Sequence, residues 1–144
     1  QIVISGDLKA VEHAINTAKE IGVRRALSLT VSGAFHSSLM SPARQPLLEI
    51  MNSITFNDAN IPVFQNVSAS PCTDATKIKN NIINQLENPV LWFDTILNLK
   101  ENGVTDFYEV GPGNVLKGFN RRIFPESNTL TCDKLDHLKS CEVL

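Results

Sequence analysis

Short apolar segments alternate along this chain with stretches whose apolar residues recur every three or four positions. Residues 2–5 form an apolar, β-branched run, and Leu8, Val11 and Ile15 then follow at the spacing of one helix face. From 27 to 31, leucine and valine alternate with serine and threonine, which is the period of a half-buried strand. The first 31 residues therefore predict a strand, a helix and a strand. Because the alternation continues toward the C-terminus, we expect an α/β fold with a largely parallel sheet.

Capping and turn residues set the expected limits of these elements. Asp7 can cap the first helix with its carboxylate, and Gly22 suits the left-handed conformation that ends it. Ser41 and Pro42 have the pattern of a cap followed by the first helical residue. The further predicted elements are a helix at 41–54, a strand at 61–67, helices at 78–86, 90–102 and 115–123, strands at 106–110 and 129–132, and a weak polar helix at the C-terminus.

Composition and charge exclude several classes of function. Of the 144 residues, 13 are Lys or Arg and 15 are Asp or Glu, so the net charge is −2, and no basic patch stands out. No uninterrupted apolar stretch approaches the roughly 18 residues that a membrane span needs. We therefore expect neither nucleic acid nor membrane as a partner.

The cysteines bear on metal binding and on the compartment. Cys72, Cys132 and Cys141 form no close pair and have no histidine at zinc-ligand spacing, so no metal site is predicted. Three widely spaced thiols fit a reducing compartment, for which we expect the bacterial cytoplasm, with an organelle stroma as the alternative.

His36 is the leading candidate for chemistry. It lies just after the second predicted strand, in a loop of small residues, and open α/β sheets bind ligands at the carboxyl ends of their strands. A histidine there can act as a general base; the alternative is a solvated loop histidine that makes one hydrogen bond. A base needs a nucleophile, but the chain has no Gly-x-Ser-x-Gly turn, and Ser37 and Ser38 are too close in sequence to be convincing partners.

A Gly-Pro-Gly segment at 111–113 forms a second candidate loop, between a predicted strand and a predicted helix. Its backbone N–H groups could approach an anion. Because the segment lacks the lysine of a phosphate-binding loop, tight packing of the backbone is the favoured alternative.

Four motifs follow one another along the chain. They are Gly33-Ala34-Phe35-His36-Ser37-Ser38-Leu39-Met40 with Pro42, Ile61-Pro62-Val63 through Asn66-Val67, Gln85-Leu86-x-x-Pro89-Val90-x-Trp92, and Tyr108-Glu109-Val110-Gly111-Pro112-Gly113-x-Val115-Leu116. With the opening residues 1–6, they resemble the malonyl-CoA:acyl carrier protein transacylases in order and spacing, from residue 1 to about 123. The resemblance implies the second half of a ferredoxin-like small subdomain at 1–32 and the C-terminal part of an α/β-hydrolase-like acyltransferase core at 33–144.

The resemblance also implies a mechanism and the residues that carry it. A serine in a Gly-His-Ser-x-Gly turn takes malonyl from coenzyme A, and the phosphopantetheine thiol of acyl carrier protein then collects it. His36 matches the family's catalytic base. Gln85 matches the residue whose backbone carbonyl accepts the other ring N–H of that base.

The implied substrate-binding residues are Phe35, Asn66 and Val67. Phe35 matches an aromatic residue that accompanies malonyl rather than methylmalonyl, and the alternative is an ordinary buried phenylalanine. Asn66 and Val67 are expected to border the pocket. No tightly bound cofactor is implied, since malonyl-CoA and phosphopantetheine act as substrates.

The family's nucleophilic serine, malonyl-binding arginine and oxyanion-hole donors have no counterpart in these residues. We expect them in an N-terminal half that precedes Gln1, and we expect residues 1–144 alone to be inactive and poorly soluble or oligomeric. Two alternatives stay open. One is an acyltransferase domain of a polyketide or multifunctional fatty-acid synthase. The other is a truncated, non-catalytic module that binds acyl carrier protein through Lys117, Arg121 and Arg122.

Overall fold

The computed structural model describes residues 1–134 and residue 136. The chain divides into two compact units, Gln1–Val90 and Leu91–Leu144. Both units contain helices and strands, which confirms the mixed α/β class. Among the described residues, no helix is long and apolar enough to cross a membrane. The weak C-terminal helix and Cys141 lie outside the described residues, and the subdomain boundary after residue 32 stays a prediction.

The first helix, α1, spans Leu8–Glu20. One carboxylate oxygen of Asp7 accepts the N–H groups of Lys9 at 3.0 Å and Ala10 at 3.2 Å, so the predicted cap is confirmed. Gly22 follows the helix with φ +91°, a backbone conformation that glycine adopts without steric cost. None of the residues of α1 is fully buried.

The two strands predicted on either side of α1 are absent from the described structure. Residues 2–5 and 27–31 belong to no helix or strand, and their apolar side chains are exposed, with 91% for Ile2 and 65% for Val31. A strand forms only where its N–H and C=O groups pair with those of a neighbouring segment. The strand prediction is wrong here because alternation shows which face of a segment is apolar but supplies no pairing partner.

A short 3-10 helix, Ser38–Met40, leads into α2, Ser41–Ser53. The predicted capping role of Ser41 is wrong, because Met40 occupies the cap position and Ser41 is already helical. The Ser41 hydroxyl instead lies 2.6 Å from the Ser38 carbonyl oxygen. Pro42 is the second rather than the predicted first helical residue, and in this first turn its missing N–H leaves no helical bond unmade.

Strand β1, Val63–Phe64, pairs antiparallel with β2, Pro71–Cys72. The strand predicted over 61–67 is therefore much too long. The observed strand ends at Phe64, and the carbonyl of the next residue, Gln65, accepts the N–H groups of Ser68 at 3.2 Å and Ala69 at 2.9 Å in a turn. Because this turn is short, the chain reverses direction and the pairing is antiparallel rather than parallel.

Helix α3, Ala75–Asn84, completes the described secondary structure of the first unit. Asp74 caps it by accepting the N–H of Lys77 at 2.7 Å. The helix ends two residues before the predicted limit of 86, and Gln85 takes the C-cap position. Met51 of α2 and Ile83 of α3 are among the buried apolar residues, and the two helices are in contact.

The second unit contains α4 at Trp92–Glu101, β3 at Asp106–Val110, α5 at Val115–Ile123 and β4 at Asn128–Cys132. All four elements are confirmed, and β3 and β4 pair in parallel as predicted. A helix connects the two parallel strands, as such pairing requires. Ile96, Phe124 and Cys132 form the buried apolar part of this unit.

Candidate active site

His36 lies in a turn with left-handed backbone. Its φ of +63° is uncommon for a residue with a Cβ and costs on the order of 1–3 kcal/mol. The backbone N–H of His36 donates to the Leu86 carbonyl at 3.1 Å. The Ser37 hydroxyl donates to the Ala34 carbonyl at 2.7 Å and accepts the N–H of Leu39 at 3.3 Å. These bonds on both sides of the turn hold His36 in its strained conformation, which is a frequent feature of active sites.

The His36 imidazole is bonded to the backbone of a distant segment. Its Nδ1 lies 2.7 Å from the Gln85 carbonyl oxygen. A carbonyl oxygen can only accept, so Nδ1 carries the proton and Nε2 of the neutral ring holds a lone pair. The histidine is exposed, and its Nε2 can therefore take a proton from a group brought to it. A solvated loop histidine is expected to make one hydrogen bond. His36 makes two, one through its ring and one through its backbone N–H.

Side-chain amides hold Gln85 in place. The Gln85 side-chain oxygen accepts an N–H of Asn66 at 3.0 Å, and the Gln85 backbone N–H donates to the Asn81 carbonyl at 3.0 Å. A second pair links the same two regions, because the Gln65 side-chain oxygen accepts an N–H of Asn81 at 3.0 Å. Gln65 also donates to the Ile78 carbonyl at 2.9 Å. The 65–69 turn is thereby bonded to α3 and to the residue that follows it.

A polar cluster joins α2 to the same segment. Its members are Ser41 and Arg44 of α2 together with Asn84 and Glu87, and we call these four residues the clamp. The Glu87 carboxylate lies 2.5 Å from the Ser41 hydroxyl and accepts from the Arg44 guanidinium at 2.7 Å. The other terminal nitrogen of Arg44 donates to the Asn84 side-chain oxygen at 2.9 Å. The Ser41 hydroxyl and then the Arg44 guanidinium hold the pKa of Glu87 below its ordinary value of 4.5. Glu87 is therefore ionised at neutral pH.

The structure brings together three of the five predicted site residues. His36, Gln85 and Asn66 form one hydrogen-bonded chain, although Asn66 contacts Gln85 rather than His36. Val67 lies in the same turn as Asn66, but its apolar side chain takes no part in that chain. The Phe35 ring lies near Gly33, where a Cβ would be 3.5 Å from it, and Phe35 is 48% exposed. The buried-phenylalanine alternative is thus wrong, while the substrate role of Phe35 stays a prediction.

Sequence reasoning missed the clamp. Its bonds join positions 40 to 46 residues apart, and none of its members belongs to a chemical motif. The available signal is spacing: Ser41 and Arg44 lie three residues apart on one helix, and so do Asn84 and Glu87 around a helix end. That spacing shows that each pair shares a face, but it does not show which faces meet.

The Gly-Pro-Gly turn at 111–113 belongs to the second unit and leads into α5, whose N-terminus is capped by a side chain of the preceding strand. The Glu109 carboxylate accepts the N–H groups of Leu116 at 2.9 Å and Lys117 at 2.8 Å in the first turn of α5. Gly111 and Gly113 have φ values of +133° and +93°. The packing interpretation of this turn is favoured over anion binding, because the Gly111 N–H donates to the Cys132 carbonyl at 3.3 Å and Pro112 has no N–H.

Neither a metal cluster nor a cavity marks the predicted residues. Within residues 1–134 and 136, no three His, Cys, Asp or Glu side chains lie close enough to share a metal ion. One cavity of about 330 Å³ is lined by Phe56 and Lys79 among others, and one of about 350 Å³ by Ile15 and Lys19 among others. The residues lining these two cavities include none of the five predicted site residues.

No protein-family model matches the chain. The malonyl CoA-acyl carrier protein transacylase of Synechocystis sp. PCC 6803 is 42% identical over 140 residues, which are 97% of this chain and 47% of the relative. The transacylase of the same name from Bacillus subtilis strain 168 is 47% identical over 123 residues, or 85% of this chain and 39% of the relative. The chain spans about half the length of the curated relatives it matches.

Solved structures agree with the sequence relatives. The crystal structure of the Synechocystis sp. PCC 6803 malonyl-CoA:ACP transacylase matches with a TM-score of 0.85 and 40% identity, over 94% of this chain and 45% of that one. A malonyl-transacylase in complex with a type II PKS acyl-carrier protein matches with a TM-score of 0.87 and 35% identity, over 94% and 44%. Likeness in sequence and in fold thus extends over nearly all of this chain, which belongs to the malonyl-CoA:acyl carrier protein transacylase family.

Proposed function

We propose that the protein containing this chain transfers malonyl from coenzyme A to the phosphopantetheine thiol of acyl carrier protein, with His36 as its general base. The observation that carries the proposal is the 2.7 Å bond from His36 Nδ1 to the Gln85 carbonyl oxygen. This bond fixes the tautomer in which Nε2 accepts a proton, as a carboxylate does in a catalytic triad. Relatives that match 97% and 85% of this chain are named for this transfer.

The proposed reaction consists of two transfers in which Nε2 of His36 carries one proton. In the first, a serine hydroxyl from outside residues 1–144 attacks the malonyl thioester carbonyl while Nε2 takes the hydroxyl proton. The carbon–sulfur bond then breaks, coenzyme A leaves with that proton as a thiol, and malonyl remains as a serine ester. In the second, the phosphopantetheine thiol gives its proton to Nε2 and attacks the ester. The serine oxygen leaves and recovers the proton from Nε2.

The proposed acyl pocket includes Phe35, Asn66 and Val67. The exposed ring of Phe35 directly precedes the base, and its volume would oppose a methyl group on the second carbon of malonyl. One methyl group gives about 1–3 kcal/mol of discrimination, so the expected result is a preference for malonyl over methylmalonyl. Malonyl-CoA and phosphopantetheine are proposed as substrates, without a tightly bound cofactor.

The proposed macromolecular partner is an acyl carrier protein. The support is the related malonyl-transacylase whose structure contains an acyl-carrier protein, together with the basic residues of α5. Lys117, Arg121 and Arg122 are all exposed on this helix. A cationic face of this kind attracts an acidic partner and raises the rate of association.

The test is the intact mass of the native protein before and after exposure to malonyl-CoA. We expect the mass to increase by one malonyl group, and we expect His36→Ala to slow this acylation by about 10²- to 10⁴-fold. His13→Ala, in an exposed position of α1, is the matched control and should acylate at the wild-type rate. Acylation of His36→Ala at the wild-type rate would show that His36 is not the base.

The mass itself separates the catalytic proposal from its rival. A native protein of 15.9 kDa that never gains malonyl would contradict catalysis and support the carrier-protein-binding module. Residues 1–144 alone are expected to stay unmodified, because they contain no nucleophilic serine turn.

A further inference from the structure

The carbonyl group that His36 contacts belongs to a segment held at both ends. Asn84, the last residue of α3, and Glu87 are both bonded to Arg44 of α2, at 2.9 Å and 2.7 Å. Gln85 lies between these two attachment points. One guanidinium group thus spans the segment that carries this carbonyl oxygen.

The middle of the same segment faces His36. The Gln85 carbonyl accepts from the His36 ring at 2.7 Å, and the next carbonyl, of Leu86, accepts the His36 backbone N–H at 3.1 Å. Two consecutive peptide groups thus bind one histidine, while the residues on either side of them bind Arg44. A shift of the segment would change both contacts to His36 together.

The chemistry of the clamp suits positioning better than stabilisation. The side chains of Arg44 and Glu87 are 42% and 20% exposed, and ion pairs this close to solvent contribute little to stability. A guanidinium group, however, is planar and presents its donors in a fixed fork, so it fixes the geometry of two acceptors at once. Its bond to Glu87 is charge-assisted at neutral pH, because Glu87 is ionised there.

Ser41 is the lesser member of the clamp. Its hydroxyl lies 2.5 Å from the Glu87 carboxylate and 2.6 Å from the Ser38 carbonyl, and its single proton can serve only one of them. Arg44 has separate donors for Glu87 and Asn84. The argument for positioning therefore depends on Arg44 and Glu87.

We propose that Arg44 and Glu87 are positioning residues that set the tautomer of His36 by holding the Gln85 carbonyl against Nδ1. The inference rests on the proposed function, since the Nδ1–H tautomer matters only if Nε2 is the base. Without the ion pair, the 84–87 segment loses its attachment to Arg44 at Glu87, and the bond from the Gln85 carbonyl to Nδ1 weakens. More of the neutral ring then carries its proton on Nε2, where it cannot accept another.

The test is the ¹⁵N spectrum of the neutral His36 ring in the native protein, because the shifts of the two nitrogens report the tautomer. We expect the Nδ1–H form in the wild type and an increased Nε2–H population in Glu87→Gln. Arg44→Lys keeps a positive charge but loses the fork, and should give a smaller increase in the same direction. If Glu87→Gln does not fold, Arg44→Lys alone decides.

Glu49→Gln is the matched control. It makes the same chemical change on an exposed residue of α2, whose carboxylate accepts from Gln45 at 3.0 Å, outside the clamp. This variant should leave the ring spectrum unchanged. A wild-type tautomer in both Glu87→Gln and Arg44→Lys would overturn the proposal, as would an equal change in Glu49→Gln.

Acylation rates separate failure of this inference from failure of the proposed function. Hydrogen-bond partners that orient metal-bound histidines typically contribute about 10- to 100-fold, and we expect Glu87→Gln to slow acylation by a similar factor. If His36→Ala is inactive but Glu87→Gln keeps the wild-type tautomer and rate, only the positioning role is wrong. If His36→Ala acylates normally, the proposed function is wrong whatever the tautomer.

Discussion

Different kinds of bond hold each of the two units together internally. In the second unit, β3 and β4 pair through their backbones over five residues each, and Ile96 and Phe124 are buried. Around His36 in the first unit, most of the long-range bonds join polar side chains to one another or to single carbonyl groups, as at Arg44 and Gln85. The first arrangement removes apolar surface from water, whereas the second fixes where particular atoms lie.

The exposure of the side chains shows how much each kind of bond contributes to the stability of the fold. Ile96 is 0% exposed, whereas the Arg44 side chain is 42% exposed. Burying an aliphatic side chain contributes roughly 1.5–3 kcal/mol, several times the contribution of an ion pair near solvent. We infer that stability in the second unit depends on apolar packing, while the network around His36 contributes geometry at little gain in stability.

The largest expected effect is that of Ile96→Ala. The substitution leaves a cavity in the second unit and should lower its free energy of unfolding by about 2–5 kcal/mol. Trp92, the single tryptophan, lies in the same helix, so its fluorescence during urea unfolding reports on this unit. Val115→Ala, at a position 62% exposed, is the control and should change stability by less than about 0.5 kcal/mol.

Urea unfolding followed by far-UV circular dichroism, which reports on the helices of both units, can break the comparison. Glu87→Gln should alter the His36 tautomer while leaving the unfolding of the protein nearly unchanged. A loss of stability in Glu87→Gln as large as that in Ile96→Ala would show that the clamp stabilises rather than positions.

The sequence predicts the second unit much better than the first. There, each of α4, β3, α5 and β4 has its own local pattern, and the two strands pair with each other. In the first unit, the apolar run at 2–5 and the alternation at 27–31 are equally clear, but they have no partner among the described residues, so no strand forms. Local periodicity specifies an amphipathic segment, and long-range pairing decides whether that segment becomes part of a sheet.

The candidate site divides in the same way. His36 and Gln85 could be found because each lies in a motif with a family resemblance, and the structure places them 2.7 Å apart. Arg44 and Glu87 could not be found from the sequence, because an ion pair between residues 43 positions apart leaves no periodic signal. The left-handed backbone of His36 was also missed, since a strained φ depends on the contacts on both sides of the turn.

A smaller effect is expected from Glu109→Gln in the second unit. The carboxylate accepts two backbone N–H groups of α5, whereas an amide keeps one acceptor and turns an NH₂ group toward the other donor. Loss of such a helix cap costs about 0.5–2 kcal/mol, read again from Trp92 fluorescence in urea. Glu126→Gln, at an exposed position in the same unit, is the control. Equal stability of the two variants would show that the cap does not stabilise α5.

The smallest effect compares one acidic group in each unit. Ser41 and Arg44 lower the pKa of Glu87 below 4.5, and the Thr105 hydroxyl and the Asn128 amide lower the pKa of Asp106 below 3.8. A carboxyl whose pKa is lower in the folded state stabilises the fold above its ordinary pKa and loses that contribution as the pH falls through the lowered value. Both contributions are therefore complete at neutral pH and are lost only in acid, below 4.5 for Glu87 and below 3.8 for Asp106.

Salt distinguishes these two acids, because Glu87 has a charged partner, Arg44, whereas both partners of Asp106 are neutral. In about 1 M salt, where the screening length is about 3 Å, the part of the Glu87 shift that is due to Arg44 should shrink and its pKa should rise toward 4.5. The partners of Asp106 are a hydroxyl at 2.8 Å and an amide at 3.0 Å, so its pKa should stay nearly constant. Carboxyl ¹³C shifts followed through an acid titration at low and high salt measure both values in one sample. Equal movement of the two pKa values, or none in Glu87, would show that Arg44 does not act on Glu87 through its charge, and the clamp would then have to depend on neutral hydrogen bonds.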